Sequence, residues 1–225
     1  MRGTRIATVF VSAALAGSCI GASAPSAAAP ATLPTTPEQF IALLQSSWDS
    51  LKSYQATITA REYLNGKIQD RVYVIKFQKP TSVRLDIVGG DGKGSAAVWQ
   101  GGDRVNGHQG GFLSMIHLNV NIHAKIATSM RGRTIADAPF GSALEHIKST
   151  KWKSTQVTVS DDRSSWTGEA EDPSQNNGVT KEVLTLAADG LPVEVTEFEG
   201  DQTVRHETYS DIQLNVDFPG STWQI

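Results

Sequence analysis

At 225 residues, with 39% hydrophobic and 19% charged side chains, the chain has the size and composition of one soluble globular domain behind a leader. Residues 1–31 hold Arg2 and Arg5 and no acidic side chain; setting those two aside from the 20 Lys and Arg leaves 18 basic against 23 acidic residues, a net charge of −5. That balance argues against a nucleic-acid partner, because phosphate binding needs a basic face.

The first segment has the pattern of a secretory leader. Arg2 and Arg5 make a positive start, Ile6 to Ile20 is apolar or small, and an alanine-rich tract runs from Ala22 to Ala31. The apolar stretch is short for a bilayer span. Residues 1–31 are therefore expected to be a signal peptide, cut after Ala28 or Ala31, delivering residues 32–225 to the periplasm with no transmembrane span. Cys19 is the single cysteine. Simple cleavage discards it and leaves stability to core packing alone. The alternative is a lipobox, Ala16-Gly17-Ser18-Cys19, with the chain lipid-anchored through Cys19.

A Pro-, Ala- and Thr-rich linker, residues 25–36, precedes the first helix. Thr36 suits an N-cap, Pro37 the first turn, and Gln39 a capping box. Ile41, Leu44, Trp48 and Leu51 recur at helical spacing, which predicts a helix to about Ser53 packed on a sheet.

Strands follow. Tyr54, Ala56, Ile58 and Ala60 alternate with polar residues, and Asn65-Gly66 signals a tight turn. The next strand puts Tyr73, Ile75 and Phe77 on one face. Lys79-Pro80 makes a corner, since Pro80 disfavours helix at the residue before it. Val83, Leu85 and Ile87 line one side of the following strand. Ala96–Trp99 and Arg104-Val105 read as short strands around Gly101-Gly102. From Gly110 to Ser149 the apolar spacing predicts helical or irregular packing, with Asp137 as an N-cap and Phe140, Leu144 and Ile147 on one helical face. Strands then return over Val157–Ser160, Ser165–Glu169, Val179–Leu186, Pro192–Glu199 and Thr203–Ser210, turning at Asp189-Gly190 and Gly200-Asp201. The regular spacing points to a large antiparallel sheet. A helical insert between two β runs has the order expected of a cover over that sheet.

Catalytic and metal motifs are missing from the sequence. His117 and His123 are six apart, His108, His146 and His206 lie on separate elements, and there is no His-Glu motif, so no metal and no cofactor is expected. The loop Gly89 to Ser95 fails as a phosphate loop: Ile87 stands where its first glycine belongs and Gly94 where Ser or Thr must follow the lysine. No G-x-S-x-G elbow occurs. Asp161-Asp162 and Glu169/Glu171 are carboxylate pairs of the kind usually solvated in turns and on strand edges. The chain is read as a non-enzyme.

Several of these segments carry a family resemblance. Tyr54-Gln55-Ala56, Lys79-Pro80 with Ser82-Val83, Met130-Arg131-Gly132-Arg133 ahead of Ile135 and Asp137, and the terminal Tyr209–Phe218 stretch together resemble the LolA-like outer-membrane lipoprotein-sorting and carrier superfamily, in a branch of domain-of-unknown-function proteins. The resemblance covers most of residues 32–225, as a single LolA-like domain. It implies an α+β fold: a strongly curved antiparallel sheet, an incomplete barrel, with helices covering the concave face and an apolar cavity that receives acyl chains. Each methylene removed from water would contribute about 0.8 kcal/mol.

On this reading the protein is a lipid or lipoprotein carrier or sensor of the bacterial envelope. Its partners are lipid acyl chains or a lipidated protein, with an envelope protein as a further partner. The alternative is a structural or regulatory protein-binding module without a ligand cavity. The cavity is expected on one face of the sheet, lined by Ile75, Phe77, Leu85 and Trp99; a one-residue slip in register would exchange the faces. Arg84 has two readings: a guanidinium at the cavity mouth meeting a carbonyl or phosphate, or an exposed strand residue paired with a neighbour. Arg131 and Arg133 either contact a lipid head group or a neighbouring element's C-terminus, or are plain surface charge.

Overall fold

The computed structural model describes residues 32–225. The leader read over residues 1–31, Cys19 with it, lies outside the described residues.

Helix α1 (Pro37–Ser50) starts at Thr36, whose Oγ1 accepts from the Gln39 N–H at 3.3 Å. The Gln39 side chain accepts from the N–H of Thr35, not of Thr36, so the capping box is displaced by one residue. Phe40 and Leu44 form the buried stripe, and Leu51 just beyond the helix is buried with them. At the far end, Lys79 Nζ donates to the Trp48 carbonyl at 2.6 Å and sits 4.6 Å from the Trp48 ring centre. A cation on the last carbonyls complements the helix dipole. Lys79 thus ties the corner after the second strand to the end of α1.

Eleven strands form one antiparallel sheet: β1 (Ser53–Leu64), β2 (Lys67–Gln78), β3 (Ser82–Gly90), β4 (Ala96–Trp99), β5 (Arg104–His108), β6 (His117–Asn121), β7 (Trp152–Ser160), β8 (Arg163–Ala170), β9 (Lys181–Ala187), β10 (Pro192–Glu199) and β11 (Gln202–Leu214). Their spatial order is β6-β5-β4-β3-β2-β1-β11-β10-β9-β8-β7. The sheet does not close, so the fold is α+β, a curved incomplete barrel with helices. Because β1 pairs with β11, the first and last strands meet in mid-sheet and divide it into two wings, β1–β6 and β7–β11. Two-residue turns set the register. Asn65 and Gly66, with φ of 51° and 78°, bring Leu64 opposite Lys67.

Two stretches differ from the sequence reading. Residues 111–121 were expected to be helical or irregular; they form a 3-10 turn, Gly111–Met115, and then strand β6. Leu118 and Val120 face inward while His117, Asn119 and Asn121 are exposed, a period of two that the four-residue spacing of Leu118, Ile122, Ile126 and Met130 obscures. Asp137 does not cap the second helix. Its carboxylate accepts from the N–H and hydroxyl of Thr134 across a short 3-10 turn, Ile135–Asp137. Helix α2 (Phe140–Ser149) begins after Pro139, and the Tyr54 hydroxyl accepts from the Phe140 N–H at 3.1 Å. That bond satisfies an N–H the helix itself leaves without a partner. The two rings stack 4.2 Å apart.

The concave face is filled from two sources. Over the second wing, α1 and α2 pack Phe40, Leu44, Leu144 and Ile147 against Trp166, Leu184, Leu186 and Val195. Over the first wing, Tyr54, Ile58, Ile75, Phe77 and Val83 form a cluster closed by Ile122, Ile135 and Phe140.

Candidate functional site

A cavity of about 620 Å³ lies between the first wing and the segment that crosses it, residues 109–138. This volume falls within the roughly 300–1,000 Å³ of sites for small organic ligands. Strand alternation builds its floor. Tyr73 on β2, Leu85 and Ile87 on β3 and Ala97 on β4 share one face, and Val105 and Val120 continue it on β5 and β6. Ile126, Ala127 and Ile135 form part of the roof. Gly110 and Gly111 reach the cavity as well, and the turn that follows carries Phe112 and Met115 at 98% and 89% exposure.

The side nearest β11 is polar. Arg205 lies between two carboxylates: its Nη1 donates to Glu197 at 2.6 Å, and its Nε and Nη2 grip Glu207 at 3.0 and 2.6 Å. The hydroxyls of Tyr73 and Tyr209 also donate to Glu207, each at 3.2 Å, and Arg133 pairs with Glu197. Burial opposes the charged form of Glu197, but Arg205 and Arg133 outweigh it and hold the carboxyl below its usual range. Burial likewise opposes the charge on Arg205, yet Glu207 and Glu197 drive its affinity for the proton well up. Burial pushes both tyrosines well above the phenol range, and the neighbouring Glu207 charge adds to it. They stay neutral donors. Such a set of matched, hydrogen-bonded charges can be buried where a lone charge could not. Glu62, on the same side, accepts from the Ser129 hydroxyl at 2.8 Å and the Arg131 N–H at 3.3 Å, which fastens the roof to β1.

The structure separates the residues singled out from the sequence. Leu85 lines the cavity. Ile75 and Phe77 share its face of β2 but lie deeper in the packed cluster, at 0% and 2% exposure. Trp99 packs against the same cluster, and its Nε1 donates to the Gly102 carbonyl at 2.9 Å. Arg84, one residue from Leu85, points to the opposite face. It pairs with Asp86 and donates to the carbonyls of Thr222 and Gln224 at 3.1 and 2.8 Å, holding the C-terminal segment on the convex side. Arg131 and Arg133 pair with Glu199 and Glu197. Asp161 and Asp162 are exposed in the β7–β8 turn. Among the described residues no group of three or more His, Cys, Asp or Glu is placed to hold a metal, and no helix is long and apolar enough to cross a membrane.

Tyr73 and Ile87 belonged to the alternating sets already visible around Ile75 and Leu85, so period-two reasoning could have reached them. Arg205, Glu207 and Tyr209 alternate along β11 and were within reach of the same reasoning; Glu197 was not, because it meets Arg205 from the neighbouring strand β10.

No protein-family model matches the chain, and no curated protein does. The chain is similar, at low sequence identity, to several solved structures. A LolA superfamily protein from Nitrosomonas europaea is 10% identical, with a TM-score of 0.40, over 85% of this chain and 99% of that one. A DUF1329 family protein from Desulfovibrio piger is 11% identical, with a TM-score of 0.44, over 86% and 98%. The lipoprotein LppX of Mycobacterium tuberculosis is 13% identical, with a TM-score of 0.44, over 80% and 100%.

Proposed function

We propose that the protein is a non-enzymatic binder of lipid, a carrier or sensor that takes the acyl chain of a lipid or lipidated protein into the cavity of its first wing. The observation behind this reading is the cavity itself, about 620 Å³ with Leu85, Ile87, Ala97, Val105 and Val120 on its walls. A preformed apolar pocket with a few polar groups at one side is the usual form of a small-molecule site. A protein-binding module with a solid interior would have no use for such a space. The reading places residues 32–225 in the periplasm as one domain after removal of residues 1–31. An intact mass matching a chain that starts between Ala29 and Thr32 supports that placement; a diacylated Cys19 makes the protein a membrane-anchored acceptor instead.

Titration with a fluorescent fatty-acid probe tests the lipid reading. Saturable binding is expected, and Leu85→Glu should weaken it by about tenfold or more, since a carboxylate would have to be desolvated against the chain. Absent binding, or binding that Leu85→Glu leaves unchanged, removes the support for this function.

A further inference from the structure

The cavity wall holds one arginine without a counterion. Three arginines line the cavity: Arg71, Arg133 and Arg205. Arg133 is paired with Glu197, and Arg205 with Glu197 and Glu207. Among the described residues Arg71 has no ion pair, and its buried Nε has no hydrogen-bond partner. Buried donors are nearly always satisfied, and one that is not calls for an explanation. The carboxylates on the cavity lining are already engaged. Glu62 sits diagonally across from Arg71 on β1 but takes the Ser129 hydroxyl and the Arg131 N–H, while Glu207 takes four donors from Arg205, Tyr73 and Tyr209. Asp137, also on the lining, is occupied by Thr134.

The neighbours of Arg71 leave space beside it. Its register partners are Ala60 on β1 and Gly90 on β3. Gly90 carries no side chain and Ala60 only a methyl group, so neither register partner covers the guanidinium. Lys93, in the turn after β3, lines the same region and adds positive charge. From this end the apolar wall of Leu85, Ile87, Ala97 and Val105 extends across β3 to β5.

We propose that Arg71 is the internal seat of an anionic head group, so that the preferred ligand is an amphiphile with an acyl chain and a carboxylate or phosphate. This proposal rests on the lipid-binding reading and narrows it. The buried Nε is closed to a ligand, but the terminal nitrogens of the guanidinium offer a planar fork that matches either oxyanion. The tail lies along the apolar wall while the head pairs with the Arg71 charge that the protein leaves without a counterion.

The test compares three ligands with the same oleoyl chain, each below its aggregation concentration: oleate, oleoyl lysophosphatidate and the neutral oleyl alcohol. Either anion should bind about tenfold or more tighter than the alcohol, the size of one charge-assisted hydrogen-bonded contact. Arg71→Gln should erase that gap, and Arg71→Lys should restore part of it. A larger gap for oleate points to a free fatty acid as the natural source; a larger gap for lysophosphatidate points to a phospholipid. If the alcohol binds the wild type as tightly as both anions, the head-group seat is wrong and the lipid cavity stands. If none of the three binds, both fall. Melting curves accompany each variant, and should Arg71→Gln not fold, the wild-type ranking together with Arg71→Lys decides the matter.

Discussion

The two wings of the sheet have the same strand geometry and opposite interiors. Over β7–β11, α1 and α2 present large side chains at regular spacing, and Phe40, Leu44, Leu144 and Ile147 fill the concave face until only a gap of about 90 Å³ remains beneath α2. Over β2–β6, the cover is a stretch of short turns, and Ala127, Ala136 and Ala138 are among the residues it turns inward. Small side chains on an irregular backbone cannot reach the curved sheet everywhere, so about 620 Å³ stays open. A helix supplies ridges that interlock with a sheet, whereas this segment spans the sheet like a roof on posts. The posts are polar: Arg133 on Glu197, Arg131 on Glu199, and Ser129 on Glu62. Packing stabilises one wing, and pairing at the boundary holds the other open.

The boundary should therefore be the most sensitive point. Arg205→Leu leaves Glu197 with Arg133 alone and Glu207 with only two phenol donors, and breaking a buried pair in this way costs about 3–5 kcal/mol. Denaturant unfolding at neutral pH measures it; a loss below about 1 kcal/mol would show that the charges do not hold the roof. Acid should act in the same direction. The folded-state pKa of Glu197 is depressed, so its contribution is fully present above the unfolded value of about 4.3 and is lost as pH falls below that toward the folded value. Wild-type stability should thus drop more between pH 5 and 3 than that of Glu197→Gln.

Matched truncations, one in each wing, come next in size. Leu144 is fully buried under α2, and Leu144→Ala should cost about 2–5 kcal/mol, because the hole it leaves is surrounded by packed atoms. Leu85 faces space that is already open, so Leu85→Ala removes few contacts and should cost less than about 2 kcal/mol. Equal losses would mean that the first wing is filled in solution and that the difference between the wings is not real.

Much of this contrast was legible in the sequence, and what was not has a physical reason. The antiparallel sheet, the Asn65-Gly66 turn, the Thr36 cap and the Phe140/Leu144/Ile147 face all follow from local periodicity and turn chemistry, which act over a few residues. That Tyr73, Ile75 and Phe77 share one face of β2, and Val83, Leu85 and Ile87 one side of β3, was legible too, though not which side is concave. Depth along that face was not. Phe77 meets the rings of Trp48 and Tyr54 from elements upstream, Ile75 is buried in the same cluster, and no pattern within β2 distinguishes the two from Tyr73, which reaches the cavity. The polar posts were hidden for a related reason. Arg133 finds Glu197, and Arg131 finds Glu199, across more than sixty residues of chain. β6 was obscured because Leu118 and Ile122 fit a strand spacing and also begin a four-residue series that Ile126 and Met130 continue.

The smallest effect is expected outside both interiors. The sequence offered Arg84 either as a cavity-rim group or as a strand residue paired with a neighbour, and strand alternation sets it on the convex face, behind Leu85. Its guanidinium joins Asp86 to two carbonyls of the C-terminal segment. Arg84→Leu should loosen that segment and cost about 1–2 kcal/mol, the worth of the charge-assisted bonds removed less what water restores. It should leave the affinity of the fatty-acid probe unchanged, because no atom of Arg84 borders the cavity. The companion measurement is lipid transfer between donor and acceptor vesicles. Unchanged transfer beside a lowered melt assigns Arg84 to the anchoring of the chain's end. Slower transfer at an unchanged melt would return it to function, and would mean that the C-terminal segment on the convex face takes part in ligand release.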